Sequence, residues 1–436
     1  MISRACDSGF ELATDIAEAD AIVVNTCAFI LPAQAEADEA IQEALEAKEH
    51  GRCRAVLVAG CLPQYLQQRR HERYPGVDAW LTPDNPGTIG EVLGRLLGLR
   101  GEAAVTSTEP IAASDWPLPT FLASAADCRV LSTPPSMAYV KIAEGCNHEC
   151  RFCIIPQLRG RYRSRPVSDV VAEARGLVGM GLPEIVLVSQ DSSFYGRDLG
   201  GDRLPELLRG VCSIPGDFWL RVMYLYPTTV SQQLLNVWAE LGPKLLPYFD
   251  VPVQHVNHEV LKRMGRGGDR SRIDGLFAAI RQACPEAIIR TSLIVGFPGE
   301  TDEQFGELLD WVEDGAIDRL GVFTYSDLPE LASHSMPGHV DEDEMEHRRD
   351  LLMQAQYDVM QERQQAFVGS ECDVLLEDVD EEHDGEGYLY LGRSWRDAYE
   401  VDGLVRVHSS CELPLYQRVR VRVTAADSND LKAEAL

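Results

Sequence analysis

No run of apolar residues in this 436-residue chain approaches the ~20 needed to cross a bilayer. The first residues also lack the basic and apolar regions of a signal peptide. Together these absences exclude a membrane partner and make the chain cytoplasmic by expectation. Basic residues are scarce, 40 Lys and Arg against 69 Asp and Glu, which gives a net charge of −29. Such a surface repels nucleic-acid backbones and can attract a basic partner, or it serves solubility alone. A disulfide framework is also missing. The twelve cysteines are spread along a long chain without a secretion signal. Thiols there stay reduced, so any grouped cysteines point to metal or cluster binding.

What is present reads as three blocks. Residues 21–24 (AIVV) and 55–59 (AVLVA) are short apolar runs flanking the helix-forming stretch 33–49, as in a parallel α/β sheet. Cys27 and Cys61 follow the two runs closely, where open α/β sheets place ligands. Residues 106–135, rich in Ser, Ala, Thr and Pro, read as a linker. Strand and helix patterns then alternate, with strands expected at 138–142, 184–188, 219–223, 248–251, 288–294 and 319–323. Helices fit at 168–180 and 303–313, and a long one at 342–367. Six repeats make a partial (β/α)6 barrel whose strand ends carry the chemistry. Beyond residue 368 the pattern becomes short strands, and residues 418–423 alternate Arg and Val, which predicts a small antiparallel β-barrel. That segment holds 16 Asp and Glu against 7 Lys and Arg. The expected domains are 1–125, 135–367 and 368–436.

The one tight cysteine group is EGCNHECRFCIIP at residues 144–156, with Cys146, Cys150 and Cys153 spaced C-x3-C-x2-C and no fourth cysteine close behind. Four thiolates close a zinc site or complete an iron-sulfur cube, whereas three leave one iron open. S-adenosylmethionine suits an open iron through its amine and carboxylate, and is a source of radical chemistry. Phe152 beside the last cysteine can shield the cluster. The alternative is zinc with His148 as the fourth ligand, although structural zinc usually sits in small, loop-dominated modules.

This loop, with Arg159-Gly160 and the stretch RSRP at 163–166, resembles the radical S-adenosylmethionine methylthiotransferases. So do VNTC around Cys27, GCLPQ around Cys61, VSQDSSFYG at 188–196, PVQH at 252–255 and VGFPGET at 295–301. Within them the chain most resembles the RimO group, which methylthiolates an aspartate of small-subunit ribosomal protein S-twelve. The resemblance implies an N-terminal methylthiotransferase domain, a radical S-adenosylmethionine barrel and a C-terminal TRAM domain. It implies two 4Fe-4S clusters and an electron donor such as flavodoxin or ferredoxin. One cluster, on Cys146, Cys150 and Cys153, would reduce S-adenosylmethionine to give a hydrogen-abstracting radical. The other would carry the inserted sulfur, with Cys27 and Cys61 as ligands. The family pattern has a third N-terminal cysteine after its first strand, which this sequence lacks. Cys6 and Cys53 match no motif position, and a truncated or misassigned start is the simplest account.

Further residues follow from the resemblance and from position. Ser189, Gln190 and Asp191 end a barrel strand and are placed to accept the amino group or ribose hydroxyls of the cofactor. Gly296 and Gly299 let the backbone approach a ligand, or simply make a tight turn. Arg159, Arg161, Arg163 and Arg165 are expected in a solvated loop, with substrate or cofactor binding as the alternative. His255 is expected to be structural. Two rival functions remain. A sister group modifies isopentenyladenosine in tRNA, but an RNA reader needs a basic final barrel and this one is acidic. A non-catalytic electron carrier would supply all four cluster ligands.

Overall fold

The computed structural model describes residues 1–99, 117–127, 129–380, 387–427 and 429–436, so part of the expected linker lies outside the described residues. The chain forms two compact units. The first comprises Met1–Val130, Glu144–Tyr162 and Ser326–His334, and the second comprises Leu131–Ala143, Arg163–Tyr325 and Ser335–Leu436.

In the first unit, β1 (Ala21–Thr26), β2 (Ala55–Gly60) and β3 (Ala79–Leu81) form a parallel sheet in sequence order. Helix Leu31–His50 crosses between β1 and β2 and buries Gln34, Ala37, Ile41 and Ala44. That i, i+3, i+4 spacing gives one face to the sheet. Val56 and Val58 point into the same core as Ile41 and Ala44, whereas Ala55, Leu57 and Ala59 pack on the other face against Leu93 and Ile89. Both faces of β2 are therefore covered, as a run of five apolar residues demands.

The second unit holds β4 (Ala138–Lys141), β5 (Glu184–Val188), β6 (Trp219–Val222), β7 (Tyr248–Asp250), β8 (Ile288–Val295) and β9 (Arg319–Thr324). Two three-stranded parallel sheets, β4-β5-β6 and β7-β8-β9, meet where Leu220 donates to Lys244 and accepts from Leu246. The six strands thus follow one another in sequence order as a partial barrel. Helix starts sit where capping chemistry puts them. Thr301 and Gln304 close a reciprocal capping box on Asp302–Glu313, and Asp269 caps Arg270–Ala283.

Residues from 371 onward form a closed barrel, β10 (Glu371–Val379), β11 (Tyr388–Ser394), β12 (Val405–Ser409), β13 (Arg418–Ala426) and β14 (Leu431–Ala435), in the order β10-β11-β12-β14-β13. One pair departs from the antiparallel expectation, because β12 and β14 run parallel with Val405 opposite Leu431. Val421 and Val423 are buried and Arg420 and Arg422 exposed, so the alternation read in the sequence is the inside and outside of this barrel.

Candidate functional site

β1 and β2 pair in register from Ala21–Ala55 to Thr26–Gly60. Cys27 and Cys61 are the residues immediately after, so both thiols leave the sheet at its carboxyl edge. Gly60 has φ 99°, and a β-carbon there would lie 2.4 Å from the Thr26 carbonyl oxygen. Only glycine lets the chain turn so sharply into helix Cys61–Leu66. The Thr26 hydroxyl fastens the turn, donating to Ala59 O at 2.7 Å and accepting from the Leu62 amide at 3.3 Å. Cys27 is exposed and Cys61 buried. Burial pushes the Cys61 thiol up, while the Arg159 guanidinium hydrogen-bonded to it acts in the opposite direction. Burial also disfavours the charge on Arg159, yet Cys61 and Glu144 keep it above its ordinary value.

The three-cysteine loop belongs to the same unit. It opens at Gly145, φ 80°, where a β-carbon would meet the carbonyl oxygens of Arg161 at 2.3 Å and Gly160 at 2.5 Å. The Cys146 amide donates to Gly160 O at 3.1 Å, which closes the loop on itself. Within it the Cys153 amide donates to Cys150 O at 3.1 Å, and the His148 amide approaches Cys146 Sγ at 3.5 Å. Helix Ile155–Arg159 follows, and Ile154 and Leu158 sink into the core that holds Cys61, Leu62 and Leu66. Segment Ser326–His334 secures the outside, through Ser333 Oγ on Arg151 O at 2.8 Å and Gln157 Nε2 on Glu330 O at 3.2 Å. Cys146, Cys150, Cys153 and Phe152 are all partly exposed. Among the described residues, no group of three or more His, Cys, Asp or Glu side chains is arranged to hold a metal ion as it stands. The donor set nevertheless fits an iron-sulfur cluster. Three half-exposed thiols come from eight residues of one loop, and an amide is already directed at one sulfur.

Cys27, Cys61, Cys146, Cys150 and Cys153 thus share one compact unit. Cys6 is exposed on helix Ile2–Asp7. Cys53 is buried before the amino end of β2, with its thiol on Ala55 O at 3.3 Å. Since Cys61 follows the other end of that strand, on the order of 20 Å away, Cys53 cannot join it as a ligand.

In the second unit Ser189, Gln190 and Asp191 do follow a strand, β5. The Asp191 carboxylate is engaged in the turn, accepting from Phe194 N at 3.1 Å and Ser193 Oγ at 2.6 Å. Gln190 Oε1 is buried without a partner, an acceptor suited to an amino or hydroxyl group of a cofactor. Gly296, φ 75°, packs so closely on helix Glu342–Gln365 that a β-carbon would fall 2.1 Å from Met345 Cγ. The Gly299 amide donates to Gly338 O at 2.7 Å, and its carbonyl accepts from Arg263 at 2.9 Å. The protein's own contacts therefore account for both glycines as a tight turn. His255 has no exposed surface. Its Nδ1 accepts from the Val256 and Asn257 amides at 3.0 and 2.9 Å, and its Nε2 faces the buried Glu300 at 3.3 Å.

Of the four arginines expected in a solvated loop, Arg165 is buried and Arg159 mostly so. Arg165 is 1% exposed and ion-paired with Asp169 and Glu173, each at 2.6 Å. Arg159 is largely buried, with Glu144 at 3.5 Å. Arg161 is exposed and Arg163 partly so. Glu144 is not marked in the sequence, because a buried carboxylate beside a thiol leaves no pattern in the letters.

Residues 1–82 match the Uncharacterized protein family UPF0004, residues 140–312 the Radical SAM superfamily, and residues 368–436 the TRAM domain. Among curated relatives, the ribosomal protein uS12 methylthiotransferase RimO of Desulfosudis oleivorans is 41% identical over 436 residues, covering 100% of this chain and 96% of that one. Its counterpart in Dictyoglomus thermophilum is 38% identical over 98% of this chain and 93% of its own, and that of Clostridioides difficile 37% identical over 99% and 93%. Among solved structures, the radical S-adenosylmethionine methyltransferase TsrM from Kitasatospora setae, with cobalamin and a 4Fe-4S cluster bound, aligns with TM-score 0.53. It covers 73% of this chain and 67% of that one at 17% identity, a likeness of fold.

Proposed function

The chain belongs to the RimO family of ribosomal protein uS12 methylthiotransferases, and from that premise we infer how its residues serve a radical S-adenosylmethionine reaction on uS12. It is a radical S-adenosylmethionine methylthiotransferase, and the observation that carries this is identity of 41% across the whole chain together with an intact C-x3-C-x2-C loop. The acceptor is an aspartate β-carbon of uS12. Cys146, Cys150 and Cys153, with Phe152 beside them, would hold a 4Fe-4S cluster, which when bound would supply reducing electrons for radical S-adenosylmethionine chemistry. A second cluster takes Cys27 and Cys61 among its ligands, and a flavodoxin or ferredoxin is the electron donor.

The chain's own residues do the holding. The Gly145 turn and the Ser333 contact with Arg151 O hold the cysteine loop from both sides, which lowers the ordering left to be done when a cluster assembles. Arg159 keeps a positive charge beside Cys61, which partly offsets the burial that disfavours the anionic sulfur iron requires. Gln190 Oε1, buried without a partner at the end of β5, would accept a hydrogen bond from a bound cofactor, and Ser189 and Asp191 belong to the same turn. Gly296 and Gly299 shape the turn after β8. Among the described residues no helix is long and apolar enough to cross a membrane, and the proposed compartment is the cytoplasm. An RNA substrate is disfavoured by the acidic final barrel, which offers few cations for phosphates.

The test is anaerobic reconstitution with iron and sulfide, followed by mass spectrometry of uS12 and of tRNA after turnover. A methylthio group gained by uS12 is the expected result. Modification of tRNA alone would sink the assignment.

A further inference from the structure

Tyr224 lies two residues beyond the end of β6, and its φ of 61° puts a bulky side chain in the left-handed region that favours glycine. The backbone is held there from both sides. The Tyr224 amide donates to Asp250 Oδ2 at 3.1 Å, and its carbonyl accepts from the Ser192 amide at 2.8 Å. Asp250 is 1% exposed and paired with Arg290 at 3.2 Å, and its carbonyl takes the next amide, Leu225, at 2.8 Å. Such strain persists only where surrounding structure imposes it, and it gathers at sites of function. Packing alone does not explain this case, since Tyr224 is 46% exposed even though burial pushes its phenol up.

Its neighbours repeat the theme. Gln254, beyond the end of β7, has φ 74°, with its amide on Ser292 O at 2.8 Å and its carbonyl on the Ile294 amide at 2.9 Å. Phe323, next to last in β9, is 49% exposed although it sits within a barrel strand. The Ser192 bond joins Tyr224 to the turn that carries Ser189, Gln190 and Asp191. All of these lie at the carboxyl ends of strands, the face on which such barrels do chemistry.

We propose that Tyr224 is a specificity-determining residue for the protein substrate, its ring contacting the segment of uS12 that carries the target residue. This rests on the uS12 reading above. The adjacent β5 turn, with its buried unpartnered acceptor, suits a small polar cofactor. The Tyr224 ring is different in kind: rigid, largely apolar and nearly half exposed, a surface that anchors polypeptide at little entropic cost. A basic ribosomal protein also brings lysine and arginine side chains, which the face of an aromatic ring attracts. The strained turn sets the direction of the ring. With an ordinary φ, the side chain would leave the backbone toward a different side.

The experiment compares Tyr224→Gly and Tyr224→Phe in the full-length reconstituted enzyme, by steady-state kinetics on uS12 and by thermal unfolding. Glycine relieves the strain, so the Tm of Tyr224→Gly should equal or exceed that of the parent while KM for uS12 rises about tenfold or more. Tyr224→Phe keeps the ring, and its KM for uS12 should stay within about threefold. An unmoved KM for uS12 in Tyr224→Gly overturns the proposal. So does a loss that falls on KM for S-adenosylmethionine, or a fall in Tm, which would make the residue structural. A parent enzyme that leaves uS12 unmodified overturns the substrate assignment instead, so the two failures are distinct.

Discussion

Cys372, near the start of β10, shows how a single side chain is governed by what encloses it. It is 4% exposed in the core of the final barrel with Val374, Val421 and Val423, and burial pushes its thiol up to about 11. The unfolded chain loses that proton near pH 8.5–9. The folded-state value is the higher one, so the stabilising contribution is complete below pH ~8.5 and is lost as pH rises toward 11. Over that window the difference is roughly 2–3 kcal/mol. Urea unfolding at pH 8 and at pH 11 should show Cys372→Ala losing less stability than the parent by about this amount. Equal losses would show that the thiol stays solvated. At this scale the sequence is least informative. Arg159 and Arg165 belong to one basic run, yet one faces a thiol and the other is buried between carboxylates, because Arg159 ends helix Ile155–Arg159 in the first unit and Arg165 belongs to the second.

The loop between β11 and β12 is the element whose role no motif announced. Ser394, Arg396, Asp397 and Ala398 are all nearly inaccessible. Asp397 pairs with Arg319 at 2.7 Å, and its carbonyl accepts from Arg221 at 3.0 Å. Asp402 accepts from the Tyr248 hydroxyl at 2.6 Å. Just beside it Arg393 meets Glu184 at 2.8 Å, and Glu184 also takes Arg221 at 2.7 Å. Glu184, Tyr248 and Arg319 are the first residues of β5, β7 and β9, so the loop stoppers the amino-terminal mouth of the barrel. Trp395 and Ala398 pack there with Trp219, Tyr248 and Ile288. Burial alone would raise the Glu184 carboxyl, but Arg393 and Arg221 hold it below the usual range. Removing one partner from such a network leaves buried charge unmatched and costs about 3–5 kcal/mol. Asp397→Ala should therefore lower the unfolding free energy by that amount, measured by denaturant titration. A loss below about 1 kcal/mol, the level of a surface pair, would mean the loop does not close the barrel mouth.

For the whole molecule the governing quantity is the net charge of −29. A basic protein approaching this surface is steered by long-range attraction, which salt screens as the Debye length shrinks from about 14 Å at 0.05 M to about 6 Å at 0.3 M. KM for uS12 should rise several-fold across that range in steady-state assays, with kcat little changed. A flat profile would assign recognition to short-range contacts such as Tyr224 alone.

The sequence by itself determined the strand and helix succession, because apolar period and capping residues act within a few positions of each other. It determined the cysteine loop too, since all three thiols come from eight consecutive residues, and the Cys27 and Cys61 positions, since each follows its own apolar run. Tertiary structure alone decided that the cysteine loop packs in one unit with Cys61, that Cys53 faces the wrong end of its strand, and that Arg159 meets a thiol. It also decided that a loop near the C-terminus closes the barrel and that Tyr224 is held at a positive φ. Each of these depends on groups far apart in the chain coming within a few ångströms, and on the desolvation that follows. A local pattern carries no record of either.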